Sequence, residues 1–165
     1  MHNQILEPSK LPRDSVCASA RSWRLAVVDE ARGWVGTPYH HHARVKGAGV
    51  DCGMLLIEVY ARAGVVPQFD PGDYSPQWFL HRDEDLYLGW VERFCVPTEE
   101  PQPADIALFK FGRTNSHAGI IIDWPLMIHA YRESRSVVYE DVSASGEIKG
   151  RLTGFWRVKD EWLIR

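Results

Sequence analysis

Val50-Asp51-Cys52-Gly53-Met54-Leu55-Leu56-Ile57 is the most informative stretch of this 165-residue chain. A loop of small and polar residues gives way here to an apolar run, which predicts the start of a helix. Asp51 suits the N-cap position, where a carboxylate accepts hydrogen bonds from first-turn N–H groups that lack partners. Cys52 then lies at the positive end of the helix dipole, which favours thiolate over thiol. Gly53 leaves space for a substrate beside the sulfur.

Two histidines follow far downstream, each in a short apolar segment. His117 comes after a Thr-Asn-Ser turn, and His129 lies between Ile128 and Ala130. If the two segments form a hairpin, the imidazoles are neighbours on one face. His117 would then act as a general base, provided that its ring reaches Cys52, and His129 would orient it. This pattern is typical of cysteine hydrolases.

Each of these residues also has a purely structural interpretation. A free cysteine is commonly a buried and inert side chain. His117 could be a satisfied residue at the edge of a strand, and His129 a hydrogen-bonded histidine of the core.

Composition narrows the class of protein. The length suits one domain over residues 1–165, with residues 1–20 as an N-terminal arm. A formal net charge of −3 gives no reason to expect a nucleic-acid partner. The three cysteines have neither zinc-ligand spacing nor the number needed for a disulfide framework. We expect no membrane span, since no segment has roughly 18 apolar residues, and synthesis in the bacterial cytoplasm without a signal peptide.

The chain changes from helical to strand patterns after Pro103. Periodicity predicts helices over residues 22–35, 52–63 and 83–94, the first of them capped by Ser22. Five short strands are predicted over residues 105–111, 117–122, 127–131, 137–142 and 155–158. Helices followed by strands predict an α+β domain, in which the N-terminal helices pack on a C-terminal antiparallel sheet of about five strands.

Five segments, in this order, resemble the NlpC family of papain-like cysteine peptidases, which cleave the peptide stems of bacterial cell walls. They are Gly36-Thr-Pro-Tyr39, Val50-Asp-Cys-Gly53, Ala104-Asp-Ile-Ala-Leu-Phe109, Ser116-His-Ala-Gly-Ile120 and Met127-Ile-His-Ala130. The resemblance implies a papain-like fold with Cys52 as nucleophile, His117 as base and His129 as the third catalytic residue. It also implies that the Tyr39 hydroxyl and the Cys52 backbone N–H form the oxyanion hole. It implies no cofactor.

Residues 34–52 and Tyr74-Ser-Pro-Gln-Trp78 look closer to a phage branch of this family, whose small members accompany tail-morphogenesis genes. This likeness implies peptidoglycan stem peptides as substrate, with cleavage between D-glutamate and a diamino acid, and phage tail proteins as partners. The sequence departs from the common family pattern in two ways. His40-His41-His42 follows Tyr39 where many relatives have a Trp-Gly-Gly type of sequence, and no wall-binding module is appended.

The loop after Tyr39 holds the remaining candidates. Adjacent histidines in an extended loop point in alternating directions, and apart from Asp51 no acidic or cysteine ligand completes a shell, so we predict no metal site. One of the three histidines is expected to line the cleft. Arg44 and Lys46 are either ordinary loop charges, or one of them meets a substrate carboxylate. Ser116, next to the base, is assigned with Asp51 and Gly53 to substrate binding.

Two other function classes remain open. One is a structural tail protein or wall-binding protein whose triad is vestigial. The other is a thiol amidase or acyltransferase that uses the same chemistry on a substrate outside the cell wall.

Overall fold

The fold is an α+β arrangement, seen in a computed structural model that describes residues 13–74 and 86–163. The described helices are α1 (Arg13–Arg32), α2 (Cys52–Arg62), α3 (Leu86–Phe94) and α4 (Asp160–Leu163). A small hairpin joins β1 (Arg44–Val45) to β2 (Gly49–Val50). The main sheet contains β3 (Cys95–Thr98), β4 (Ile106–Phe111), β5 (Thr114–Asp123), β6 (Leu126–Tyr131), β7 (Ser136–Asp141) and β8 (Leu152–Val158). Its order is β3-β8-β4-β5-β6-β7, and every pair is antiparallel.

The predicted α+β architecture is confirmed, but the main sheet has six strands and not five. The additional strand is β3, which follows α3 directly and pairs with β8. Its sequence, Cys-Val-Pro-Thr, contains a proline and therefore does not read as a strand. Pro97 is tolerated because β3 lies at the edge of the sheet, where one side of the strand makes no ladder hydrogen bonds.

The helix boundaries agree with the prediction only in part. The prediction that Ser22 caps the first helix is wrong, because α1 already begins at Arg13. No glycine or proline lies between Pro12 and Gly33, so nothing in that stretch stops a helix. The predicted start of the third helix, Asp83, and the first part of the predicted arm lie outside the described residues. Within these residues, no helix is both long and apolar enough to span a bilayer.

Both faces of the main sheet are buried. Leu108, Ile120 and Ile128 belong to a cluster that also includes core residues of α1, α2 and α3. Phe109, Ile121 and Met127 alternate with them and form a second cluster on the other face. Val142 and Ile148, from the segment after β7, complete this second cluster. Two buried faces explain why these strands read as continuous apolar runs instead of alternating patterns.

The strands β5 and β6 pair only near their connecting turn. Their paired positions run from Ile120 and Ile128 to Asp123 and Leu126. By contrast, β4 follows β5 back to Thr114, and β7 follows β6 on to Tyr131. The two strands therefore separate before Ile120, and the histidines of both strands lie at this open end.

Gly119 permits the close packing of β5 on β6. A Cβ atom at this position would overlap with the sulfur of Met127, whose side chain is fully buried in the second cluster. We expect Gly119→Ala to lower the free energy of unfolding by about 1–3 kcal/mol, the usual effect of overpacking a core. Urea denaturation measures this change.

Gly154→Ala in β8 is the matched control, because a Cβ there meets no atom within 4 Å. Its unfolding midpoint should stay within a few tenths of a kcal/mol of wild type, or rise slightly. Equal effects of the two substitutions would contradict the packing argument.

Candidate active site

The N-terminus of α2 presents Cys52. Asp51 is the N-cap, as predicted, and its Oδ1 accepts the Met54 N–H at 2.9 Å. Because the capped helix begins at Cys52, the half-buried thiol lies at its first turn. The local prediction for this motif is therefore confirmed.

The second carboxylate oxygen of Asp51 organises the residues around the thiol. Oδ2 accepts the backbone N–H of His42 at 2.7 Å and the Tyr74 hydroxyl at 2.7 Å. His42 has a left-handed backbone with φ of 61°, which turns the loop toward this oxygen. His41 Nδ1 lies 3.6 Å from the same oxygen. One buried carboxylate thus joins the helix, the histidine loop and the segment that contains Tyr74.

The two downstream histidines form a directly bonded pair. Nε2 of His117 lies 2.7 Å from Nδ1 of His129, and both side chains are buried. Tyr131 stacks on the His129 ring with an interplanar angle of 13° and a centroid separation of 5.0 Å. The expectation that the two imidazoles are neighbours on one face is correct.

A β-bulge places the backbone of Ser116 against the thiol. His117 pairs with Phe109 and Asn115 pairs with Lys110, so Ser116 is the extra residue on β5. The Cys52 thiol donates to the Ser116 carbonyl oxygen at 3.7 Å. The expected hydrogen bond from the thiol to the His117 ring is not formed among the described residues, because His117 shares the sheet face of Phe109, away from α2.

Cys52 and His117 nevertheless line one cleft, at the open end of β5 and β6. The cleft has two lobes, which share Tyr39, Cys52, Ser116 and Arg132. We call one the histidine lobe; it also contains Phe111, His117, Ala130, Tyr131 and Glu133. We call the other the tyrosine lobe; it also contains His41, Asp51, Gly53, Tyr74, Tyr87 and Trp90.

Most of the predicted site residues line this cleft, but two do not: His129 is buried behind His117, and Arg44 lies elsewhere. Its Nε donates to the buried Glu58 at 2.8 Å, and its Nη2 lies 2.7 Å from the same oxygen. A buried carboxylate requires such a partner, so this guanidinium serves the interior and not a ligand. The prediction that Arg44 meets a substrate carboxylate is therefore withdrawn.

The loop histidines have separate environments. His41 lines the tyrosine lobe, and its Nε2 lies 2.9 Å from the Tyr74 carbonyl oxygen. Nε2 of His42 lies 3.0 Å from the Gly72 carbonyl oxygen, and His40 is exposed. In the described part of the chain, no three His, Cys, Asp or Glu side chains are placed to hold a metal ion.

Several residues of the cleft were not identified from sequence, among them Arg132, Tyr74 and Tyr87. Arg132 lies beside the Tyr39 phenol and Tyr87 beside the Cys52 thiol, each close enough to shift the pKa of that group. Arg132 follows the His129 strand closely, and this proximity is a signal that could have identified it. Tyr74 and Tyr87 come from an irregular segment and from α3, and no spacing in the sequence connects them to Cys52.

The environment keeps the reactive groups neutral. Burial, together with the charge of Asp51, raises the pKa of the Cys52 thiol to about 12, although hydrogen bonds from Tyr87 and from backbone N–H groups lower it. Burial and the neighbouring His129 lower the pKa of His117 well below 6.5, and burial lowers the pKa of His129 to about 4. Burial thus opposes the first-turn N–H groups, which by themselves favour the thiolate.

Tyr39 is suited to donate a hydrogen bond in the cleft. Burial, and then the charges of Cys52 and Asp51, raise the pKa of its phenol above the ordinary value. The hydroxyl therefore keeps its proton at neutral pH. A neutral phenol beside Cys52 can stabilise negative charge that develops on a bound carbonyl oxygen.

The chain resembles known proteins in sequence and in fold. The sequence profile of the NlpC/P60 family matches residues 36–157. Among curated protein sequences, none matches significantly.

Several solved structures have a similar fold. The NlpC/p60 domain of the peptidoglycan hydrolase SagA is 20% identical with a TM-score of 0.53; the alignment covers 82% of this chain and 97% of that domain. A lipoprotein-like NLP/P60 family protein from Staphylococcus aureus is 20% identical with a TM-score of 0.59, covering 94% of this chain and 45% of that protein. The peptidoglycan hydrolase RipB from Mycobacterium tuberculosis is 20% identical with a TM-score of 0.56, and the alignment covers 95% of this chain and 75% of that protein. This chain therefore spans less than half of the S. aureus protein.

Thiol alkylation tests the ionisation of Cys52. With a pKa of about 12, the rate of alkylation by iodoacetamide should rise steadily from pH 6 to pH 10, because only the thiolate reacts. Mass spectrometry of the Cys52 peptide separates this signal from those of Cys17 and Cys95. A pH-independent rate between pH 5 and 8 would instead indicate a preformed thiolate–imidazolium pair.

Acid stability tests the buried histidines. Because folding lowers the pKa of His129 from 6.5 to about 4, the unfolded chain binds a proton between these values that the folded chain does not. Stability is therefore complete above about pH 6.5 and falls as the pH decreases, by about 1.4 kcal/mol per pH unit for one histidine. Urea denaturation between pH 7 and pH 4 measures this slope.

His129→Asn should make the acid slope shallower, since it removes one of the two buried histidines that bind a proton on unfolding, while His117 remains. His40→Asn removes an exposed histidine and should leave the slope as in wild type. Equal slopes in wild type and His129→Asn would show that the acid sensitivity arises elsewhere.

Proposed function

This chain belongs to the NlpC/P60 family, and from that premise we propose that it is a cysteine peptidase acting on amide bonds of peptidoglycan stem peptides. One observation carries the proposal: Cys52, at the start of α2, lines the same cleft as His117, whose Nε2 is bonded to the buried His129. A thiol and an imidazole whose second nitrogen is held by another group are the parts that nucleophilic acyl transfer requires.

Attack begins with a reorientation of the thiol. Its hydrogen bond to the Ser116 carbonyl oxygen must break so that Sγ can face Nδ1 of His117. Because both groups are neutral, the proton moves from sulfur to Nδ1 as sulfur bonds to the scissile carbonyl carbon. The Cys52 backbone N–H and the Tyr39 hydroxyl stabilise the oxyanion. His129 holds Nε2 of His117 throughout.

The acyl-enzyme then forms and is hydrolysed. The tetrahedral intermediate collapses, the C–N bond breaks, and His117 gives its proton to the leaving amine. Water next attacks the thioester, with His117 as base, and yields a carboxylate and the free Cys52 thiol. Since His117 protonates the amine, the histidine lobe holds the leaving group and the tyrosine lobe holds the acyl side of the substrate.

Arg132 is the residue that we assign to a substrate carboxylate, in place of Arg44. It lines both lobes beside Tyr39, so its guanidinium lies next to the position of the scissile bond. Stem peptides are rich in free carboxylates, which guanidinium groups bind well. This cation supports the proposal that the cleaved bond joins D-glutamate to a diamino acid.

The proposed biological setting is a phage or prophage tail, after synthesis in the bacterial cytoplasm. Its support is the sequence likeness of residues 34–52 to phage members of the family. The second stretch with this likeness lies mostly outside the described residues, since only Tyr74 of it is described. Antibody detection of the protein in purified tail fractions tests this setting.

Digestion of purified peptidoglycan tests the chemistry. The wild-type protein should release new amino termini, and Cys52→Ala should release at least a thousandfold fewer, because the nucleophile is absent. Cys95→Ala is the matched control, since this buried cysteine lies outside both lobes. If wild type and Cys52→Ala behave alike, the peptidase proposal is wrong.

The same assay separates the alternative functions. A structural or wall-binding protein would sediment with peptidoglycan and release no termini. An acyltransferase would transfer the acyl group to an added amine faster than to water. Either result would replace the proposed hydrolysis.

Arg132→Gln tests the carboxylate site. We expect KM for a soluble stem peptide to rise about tenfold, the equivalent of one lost charge-assisted hydrogen bond. Arg44→Gln removes the same charge outside the cleft, and it should lower the melting temperature while leaving KM near wild type. Equal KM changes in the two variants would contradict the assignment.

A further inference from the structure

The far side of the histidine pair contains a buried polar atom without a partner. Nε2 of His129 forms no hydrogen bond with any described residue, and the side chain is fully buried. The nearest carboxylate oxygen is Oε2 of Glu140, at 4.0 Å. A buried nitrogen of this kind requires an explanation, because leaving a polar group unpaired costs free energy.

Strand register places Glu140 beside His129. His129 pairs with Val138 across β6 and β7, so Glu140, two residues further, lies diagonally adjacent on the same face. The stacked ring of Tyr131 holds the His129 plane, and the carboxyl side chain is 26% exposed. A shift of this oxygen by about 1 Å would bring it within hydrogen-bond distance of Nε2.

The number of protons on the pair restricts its arrangement. A neutral imidazole carries one N–H, so two neutral rings can share their bond in only two ways. If Nε2–H of His117 donates, Nδ1 of His117 stays free to accept a proton, and the proton of His129 lies on Nε2, toward Glu140. If Nδ1–H of His129 donates instead, His117 carries its proton on Nδ1 and cannot act as a base.

We propose that Glu140 is a positioning residue that selects the Nε2–H tautomer of His129 and thereby leaves Nδ1 of His117 free. A carboxylate only accepts hydrogen bonds, so it stabilises an N–H directed toward it and disfavours the other tautomer. The base function of His117 rests on the proposed peptidase activity, whereas the tautomer of His129 does not depend on it.

The other ionisable groups near the pair include two acidic side chains and the cation Arg132, which lines the histidine lobe. Tyr131 donates to Glu147 at 2.9 Å, and Glu133 lines the histidine lobe. His117 is the remaining titratable neighbour of His129, on β5.

Nitrogen-15 NMR of the imidazoles at pH 7 tests the tautomer directly, without substrate. In wild type, His129 should carry its proton on Nε2. In Glu140→Gln, the side-chain amide can donate to Nε2, so the Nδ1–H tautomer should become a major species. Glu147→Gln is the matched control, because it removes the same charge beside Tyr131 without facing Nε2, and it should retain the wild-type tautomer.

Kinetics provide a second readout. Glu140→Gln should lower kcat about tenfold, equivalent to one pKa unit of lost stabilisation, with KM unchanged. An unchanged His129 tautomer in Glu140→Gln would overturn the proposal, even if activity falls. If wild type shows no Cys52-dependent hydrolysis, the peptidase assignment fails, and the NMR comparison still decides the role of Glu140.

Discussion

The buried carboxylate of Asp51 is the interaction on which the site depends. Its two oxygens accept from Met54, His42 and Tyr74, so a single charge sets the start of α2, the path of the histidine loop and one wall of the cleft. A carboxylate is buried at tolerable cost only when its oxygens are fully used in this way. The same charge contributes to the raised pKa of the Cys52 thiol. Asp51 therefore organises the site and also helps to keep the Cys52 thiol protonated, so that the thiol needs a base in order to react.

The proposed base, His117, is on the sheet face opposite to the one on which α2 packs. Strand alternation directs His117 toward the second core cluster, while α2 and its thiol lie on the first. The bulge at Ser116 and the separation of β5 from β6 bring the two groups to one cleft at the strand end. Burial keeps both histidines neutral, which a general base requires, and the aromatic ring of Tyr131 holds their geometry.

Features of the fold that depend on neighbouring residues could be predicted from the sequence. The cap of α2 and the strand positions of the two histidines follow from neighbouring residues, and the structure contains them. The start of α1 was misplaced because Ser22 is a capable cap residue in the middle of a stretch with no helix breaker. The strand β3 was missed because edge position, and not sequence, makes its proline acceptable.

The sequence by itself determined the order of helices and strands, the capped helix start that presents Cys52, and the candidate histidines, since hydrogen bonding and periodicity over a few residues control these features. Tertiary structure alone decided which charges reach the cleft. Arg44 forms an ion pair with the buried Glu58. Arg132, Tyr74 and Tyr87 come from distant segments of the chain and line the cleft with Cys52. The physical reason is that a buried charge binds whichever partner the packing places within reach, and the separation of residues along the chain carries no information about that choice.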